Sequence, residues 1–509
     1  MHFTPEKIKA FREQVAALLK DWQVPSITLG IIENGETVYT GAVGNRDLEN
    51  GIAADETTLY MIGSCTKAFT AALAAILVDR GLLDWDEPLI HYVTGIDFYD
   101  DYVTTHVTMR DLLCHRTGMP RHELSWYGTG FTREEIMENY RFLEPNKPFR
   151  TTYQYSNQCF MYAGKVIETL FGKPYEECLQ EYIFTPLGMT HTTPFLYDMV
   201  QSGHAALPYS QEDVYAVTAP PVRVPYYEST PGELESRTSC IFASAGSICS
   251  CSEDMMKWVN FHLNMGLVDG KQVISRENMF EMHKMNMLCG EMMEPNVRTA
   301  PESDVTPVSA YGLGWGVDIY RGRKCVNHSG GIDGFITYTA FFPELNCGLF
   351  LSVNKFEMFL PLVVKNMVQD ILLGCEGETD WAARCRKACE AFKAPRDPNA
   401  PHPYLGKQLP DAPLSCALTE YTGVYEHKGY RPFPVREEGG RLYATLMGRE
   451  VELKHFHYDA FTLDLGMDDI PPEIPVVFNV DGKDHRIHNV DIMLLQEPGA
   501  PYTRFQKKG

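Results

Sequence analysis

Ser64 and Lys67 stand three residues apart at the mouth of an apolar stretch, Tyr60 to Gly81, YMIGSCTKAFTAALAAILVDRG. Residues i and i+3 of a helix share a face, so the amine lies within reach of the serine hydroxyl proton, the pairing that activates a nucleophilic alcohol. The first helical turn also leaves backbone N–H groups without intrahelical partners, backed by the positive end of the dipole, which suits an oxyanion forming beside Ser64. A helix-capping serine followed by a solvated lysine gives the same pattern, and S-x-x-K recurs at Ser352-Val353-Asn354-Lys355. That copy ends GLFLSVNK, a strand-like run in which serine and lysine would point to opposite faces. Context selects Ser64. Gly63 precedes the helix, and Gly81 follows its last turn where a left-handed residue is expected. Between them Phe69, Leu73, Ile76, Leu77 and Val78, with alanines on the other sides, make a helix apolar nearly all round, the pattern of a buried one.

A lysine at its ordinary pKa of about 10.4 is protonated at neutral pH, so it needs a neighbour that depresses it or relays its proton. Tyr155-Ser156-Asn157, directly before a helical pattern, offers a phenol and an amide. A core tyrosine and a helix-capping asparagine would read the same way. His328-Ser329-Gly330-Gly331 offers an imidazole, a hydroxyl, and glycines that let a substrate lie along a strand edge while a backbone N–H points at its carbonyl. H-x-G also occurs at His427-Lys428-Gly429, in a different part of the chain.

The elements that must position these groups fit an ordinary globular chain of 509 residues, 44% hydrophobic and 22% charged, long enough for two or three cores. A net charge of -22 opposes nucleic acid or an anionic membrane as partner. No apolar run reaches the roughly 18 residues of a membrane span. MHFTPEKIKAFREQ lacks a basic region followed by an apolar core, so a cytoplasmic chain is expected. The 14 cysteines are scattered and read as free buried thiols. Neither the close pairs Cys249/Cys251 and Cys385/Cys389 nor His455/His457 brings the grouped ligands of a zinc site, and no metal or cofactor is expected.

Thr4-Pro5-Glu6 starts a helix running to about Trp22. SITLGIIE and ETVYTGAVG form a hairpin across Asn34-Gly35. LLDWDEPLIHYV reads as a mostly helical connection, and VTMRDLLCHRTGMP as a short helix stopping at Gly118 and Pro120. Helices follow from Thr132, over Asn157 to Phe171, and over Tyr175 to Phe184, ending before Pro186. They suggest a helical lobe between early and late strands. Thr192 to Arg237 and Leu288 to Thr306 read as loops bordering a cleft. SEDMMKWVNFHLNMG is a helix with Ser252 as N-cap, and GLGWGVDIY, KCVNHSGGIDGF, ITYTAFFPE and CGLFLSVNK complete the sheet begun near residue 26, with the helix LPLVVKNMVQDILLG packed on it. The expected fold is α/β, an antiparallel sheet flanked by helices plus a helical lobe over residues 1–392. A Pro-rich linker over 393–416 and a small antiparallel barrel over 417–509 follow.

S-x-x-K, Y-x-N and H-x-G in this order resemble the serine β-lactamase and penicillin-binding-protein superfamily, and within it the group of class C β-lactamases, esterases and D-amino-acid peptidases. Blocks such as YMIGSCTKAFTAA, MRDLLCHRTGMP, YQYSNQCFMYAGKVIE, ASAGSICSCSEDMMKW, YGLGWG and NHSGGIDGF carry the resemblance over roughly Ser26 to Asp370. Residues Ala417 to Gly509 are similar to the lipocalin-like barrel appended to some members. The resemblance implies a serine hydrolase working through an acyl-enzyme on small esters or amides, including D-amino-acid peptides or β-lactams, without a cofactor. Ser64 would be the nucleophile and Lys67 its proton acceptor or relay. Tyr155 would be the alternative base and the acid for the leaving group, and Asn157 would orient Lys67 and hold the substrate amide. His328 stands where many relatives carry a lysine, which weakens any grip on a substrate carboxylate and favours esters and amides over true β-lactam hydrolysis. The N–H groups of Ser64 and Gly331 would form the oxyanion hole, with Gly330 beside them. The alternative is a non-catalytic scaffold assembling into homo-oligomers or filaments.

Overall fold

The computed structural model describes residues 2–289, 301–394, 397, 400–409, 411–467, 473–495 and 500–508. The loop expected over Leu288 to Thr306 therefore lies largely outside the described residues, as does part of the 393–416 linker. Two compact units divide the chain. One comprises Met1–Ile96, Tyr102–Gly118 and Pro148–Lys393; the other comprises Asp97–Asp101, Met119–Lys147 and Ala394–Gly509.

The first unit is built on a nine-stranded antiparallel sheet. Its spatial order is Met287–Leu288, Val308–Tyr311, Gly316–Tyr320, Arg323–Ile332, Phe335–Phe342, Cys347–Val353, Ser26–Glu33, Glu36–Asp47 and Ile52–Ala53. Early and late strands thus meet at the centre, where Ile27 pairs with Val353 and Leu29 with Leu351. The central strand Ser26–Glu33 is buried along its whole length, which is why SITLGIIE is apolar on both faces. One face takes the helices Pro5–Trp22, Phe359–Leu372 and Trp381–Lys393, whose Phe11, Val15, Val364 and Val368 join Ile27, Leu29 and Leu351 in one core. Thr4 Oγ1 accepts the Lys7 N–H and Pro5 opens the first helix, as the sequence predicts.

Helix Thr66–Asp79 is buried from Thr66 through Leu77. Phe69 stacks on Trp258 of helix Ser252–Leu263 with ring centroids 3.8 Å apart. Each large apolar side chain buried here contributes about 1.5–3 kcal/mol. Its end is a Schellman motif: Gly81, at φ +67°, donates to the Val78 carbonyl, and Leu82 donates to that of Leu77. The start is set by two crossings. Ile62 donates to Ile248 and Ile248 to Thr66 Oγ1, tying the turn to segment Ala243–Ser250. Strand Arg323–Ile332 then passes directly over the Gly63–Cys65 turn. A Cβ on Gly330 would sit 2.0 Å from the Ile62 carbonyl oxygen, and one on Gly63, at φ +51°, would sit 3.0 Å from both the nitrogen and the oxygen of Gly331. Within strand Arg323–Ile332, the pairing with Gly316–Tyr320 ends at Asn327, whereas the pairing with Phe335–Phe342 runs on to Ile332. Among the described residues, His328 to Ile332 therefore have no sheet neighbour on their second side.

Three readings are corrected. LLDWDEPLIHYV is mostly turn, with a single 3-10 turn at Leu89–His91, because Asp84 accepts the Asp86 N–H and offers the backbone a local alternative to helix. The helix in VTMRDLLCHRTGMP spans Met109–Leu113 and stops before Gly118, at His115, which is left-handed at φ 59°. The run from Tyr175 passes through Pro186 to Leu187, because a π turn at Gln180–Phe184 widens the helix ahead of the proline ring. The region Thr192 to Arg237 also holds a short helix, Leu196–Gln201, and a small hairpin, Tyr209–Gln211 with Pro221–Arg223.

In the second unit eight strands, Gly423–Glu426 through Thr503–Lys507, pair in chain order and close as a barrel. Tyr421, Tyr425, Phe461 and Phe478 pack edge to face within it. Segment Met119–Lys147 belongs to this unit: His122 Nδ1 meets the Tyr430 hydroxyl at 2.6 Å, and Arg431 donates to the Thr129 carbonyl while covering the Phe131 ring. His455 and His457 lie on strand Arg449–His457, separated by a register shift. Among the described residues no helix is long and apolar enough to cross a membrane, and no group of three or more His, Cys, Asp or Glu could hold a metal ion.

Two outcomes follow. Gly330→Ala forces a methyl into the Ile62 carbonyl and is expected to cost about 1–3 kcal/mol. Gly331→Ala, whose methyl meets nothing nearer than 3.4 Å, should melt close to wild type; equal melting temperatures for both variants would contradict the crossing. Burial also holds His262, His283 and His328 neutral, the first well below 6.5 and the others down to about 3. Below about pH 6.5 the unfolded chain takes up protons that the folded chain refuses, so stability falls with pH. Thermal melts should be flat between about pH 7 and 8 and decline steadily from about 6.5 to 5, where most carboxylates remain ionised.

Candidate active site

Ser64 sits half-buried in the 3-10 turn Gly63–Cys65, two residues before the start of the helix that carries Lys67. Lys67 is fully buried, and its Nζ donates to Ser64 Oγ at 3.1 Å, Asn157 Oδ1 at 2.6 Å and the Ala245 carbonyl at 2.8 Å. Three acceptors match the three N–H bonds of an ammonium. They come from three separate segments: the lysine's own turn, the first residue of helix Asn157–Phe171, and the short helix Ala243–Gly246. The amine also lies 4.8 Å from the Tyr155 ring centroid and 5.3 Å from that of Phe160.

Tyr155 is half-buried among rings. His115 stacks against it, tilted, at 4.4 Å, with Tyr311 at 6.4 Å and His328 at 6.3 Å. The left-handed backbone at His115 turns its imidazole into this cluster, where Nδ1 accepts the Ser156 N–H at 3.1 Å and so fixes the residue between Tyr155 and Asn157.

His328 has both nitrogens engaged elsewhere than on Ser64. Nδ1 faces the Ser329 carbonyl at 2.5 Å and must carry the hydrogen there, so Nε2 accepts from the Tyr311 hydroxyl at 2.6 Å. Burial, reinforced by the nearby Lys67 charge, keeps this imidazole neutral, and burial likewise keeps the Tyr311 phenol protonated. The His328 carbonyl accepts from Cys65 Sγ at 3.3 Å. Burial pushes that thiol up to about 12, so the cysteine beside Ser64 stays protonated at neutral pH. Gly330 and Gly331 lie against the Gly63–Cys65 turn, and a Cβ on Gly330 would come within 3.0 Å of the Ser64 nitrogen.

The structure thus joins Ser64, Lys67 and Asn157 by direct hydrogen bonds, sets Tyr155 beside the amine, and brings Gly330 and Gly331 to the same turn. His328 is linked to them through Cys65 and through the Tyr155 ring. Sequence reasoning missed Ala245, His115 and Tyr311 as parts of the site. All three lie in the blocks ASAGSICSCSEDMMKW, MRDLLCHRTGMP and YGLGWG, but a backbone acceptor leaves no side-chain signature, and neither ring stands in a short catalytic pattern. Residues from Thr192 to Arg237 contribute Thr192, Phe195, Asp198 and Arg237 to a cavity of about 670 Å³ that none of Ser64, Lys67, Tyr155, Asn157 or His328 lines.

The Beta-lactamase family model matches residues 11–369, and a domain of unknown function matches residues 408–506. The unguisins hydrolase ungD of Aspergillus violaceofuscus (strain CBS 115571) is 30% identical over 499 residues, covering 92% of this chain and 85% of that protein. Among solved structures, the octameric penicillin-binding protein homologue from Pyrococcus abyssi superposes with a TM-score of 0.61 at 20% identity, covering 98% of this chain and 100% of that one. The D-amino acid amidase from Ochrobactrum anthropi SV3, complexed with L-phenylalanine amide, superposes with a TM-score of 0.56 at 25% identity, over 72% of this chain and 98% of that one. Fold, family model and relatives agree, and the chain belongs to the beta-lactamase family of hydrolases.

Proposed function

We propose that this protein is a serine hydrolase that cleaves small esters or amides through an acyl-enzyme on Ser64. The observation that carries the proposal is the buried Lys67 amine, hydrogen-bonded at once to Ser64 Oγ and Asn157 Oδ1. In the acylation step Ser64 Oγ bonds to the acyl carbon, its proton passes to Lys67 in its neutral amine form or, with Lys67 as the ammonium, to the Tyr155 phenolate, and the same proton is delivered to the departing alcohol or amine as the acyl–heteroatom bond breaks. The negative charge on the carbonyl oxygen is met by the N–H groups of Ser64 and Gly331, with Gly330 allowing their close approach. Water then attacks the ester, one of its protons returns to Ser64, and the acid leaves. Asn157 holds Lys67 in line and receives the substrate amide.

The neutral imidazole of His328 supports ester and amide substrates over those anchored by a free carboxylate, since no permanent charge stands at that position. The hydrolase relative acting on unguisins and the D-amino acid amidase neighbour support amide bonds, D-amino-acid peptides among them, ahead of β-lactams. The scaffold alternative has the octameric archaeal homologue on its side but leaves a matched alcohol and amine without use.

A fluorophosphonate probe separates the two. Wild-type protein is expected to label stoichiometrically, Ser64→Ala not at all, and Lys67→Met at least about a hundredfold more slowly. Labelling that persists in Ser64→Ala, or wild-type protein that never labels, would reject the hydrolase in favour of the scaffold.

A further inference from the structure

Thr70 stands one turn beyond Lys67 on the same helix and is fully buried. A threonine inside a helix commonly turns its hydroxyl back to the carbonyl four residues earlier. Thr70 Oγ1 instead leaves its own helix and donates to the Ser244 carbonyl at 2.6 Å. With its one hydrogen committed there, it can only accept from the Tyr175 hydroxyl, 2.7 Å away, so the chain runs in one direction from phenol to hydroxyl to carbonyl. Tyr175 and Ser244 are themselves buried.

The carbonyl so gripped belongs to the residue before Ala245, whose own carbonyl accepts from Lys67 Nζ. The rest of that turn is pinned as well. Ser244 Oγ donates to the Phe160 carbonyl at 2.7 Å, and the Ala245 N–H donates to Phe242 at 2.7 Å. Among these acceptors Ala245 offers main chain, and no side-chain substitution removes that atom directly. Its aim depends on what holds the turn. We propose that Thr70, oriented by Tyr175, is a positioning residue that keeps the Ala245 carbonyl on Lys67 and thereby sets the reach of the amine to Ser64. This rests on the serine mechanism proposed above.

The test uses the full chain and the pseudo-first-order rate of fluorophosphonate labelling, followed against pH. Thr70→Val keeps the shape and removes both hydrogen bonds. It should slow labelling by about ten- to a hundredfold, the scale of a small misplacement at a reacting centre, while the final stoichiometry at Ser64 stays that of wild type and the acidic limb of the rate profile moves. Thr70→Ser, which restores the hydroxyl, should return both the rate and the limb to near wild type. Tyr175→Phe, which leaves the Thr70 to Ser244 bond in place, should fall between them, and it decides the matter if Thr70→Val does not fold. A wild-type rate and profile in Thr70→Val or Tyr175→Phe, or equal slowing by valine and serine, would overturn the proposal while leaving Ser64 as nucleophile. Wild-type protein that never labels would instead remove the serine mechanism and this inference together.

Discussion

An amine buried in an apolar helix is the constraint on which the first unit depends. Withdrawing an ammonium from water costs several kcal/mol unless its hydrogens find acceptors. Lys67 reaches the interior because Ser64, Asn157 and Ala245 each offer one. Those acceptors lie on segments nearly a hundred or more residues apart in sequence, so the folded arrangement of the sheet, the Asn157 helix and the Ala243–Gly246 turn is also the condition for a satisfied lysine. A change that loosens any of the three segments strands the amine.

Much of this was legible because the informative pieces are local. Ser64 and Lys67 lie within one turn, and the caps at Gly63 and Gly81 bracket a run whose apolarity already marks it as buried. The β-rich composition of GLGWGVDIY, KCVNHSGGIDGF, ITYTAFFPE and CGLFLSVNK, with turn residues between them, placed the late strands, and the NG hairpin placed the early ones. What stayed hidden was decided by geometry across the chain. His115 ends its helix in a left-handed conformation with no glycine to announce it. Pro186 reads as a stop, yet a π turn upstream makes room for it. LLDWDEPLIHYV carries helix formers, but Asp84 binds the Asp86 backbone instead.

The decoys are equally instructive about context. Lys355 of the second S-x-x-K is as buried as Lys67, but its Nζ donates to the carbonyls of Trp22, Gln23 and Ala219, while Ser352 shares its hydroxyl with Thr337. That lysine ties a helix end to the sheet and never meets its serine. His427 of the second H-x-G packs against Tyr430 and Phe505 inside the barrel unit. Identical letters thus serve as a cross-brace in one place and as a serine–lysine hydrogen bond in another, and burial alone does not tell them apart.

The second unit is discontinuous in sequence: residues 97–101 and 119–147 leave the first unit, join the barrel and return. Leu143 packs where a side chain on Gly429 would collide with it, and His122 bonds Tyr430, so the excursion and the barrel complete one another. Neither half of the protein can then be excised by a single cut. A chain terminated after Lys393 would keep the looped-out segment and lose what shelters it, so dissecting this molecule requires splicing out residues 119–147 as well, and swapping the barrel between relatives means exchanging two stretches of gene together.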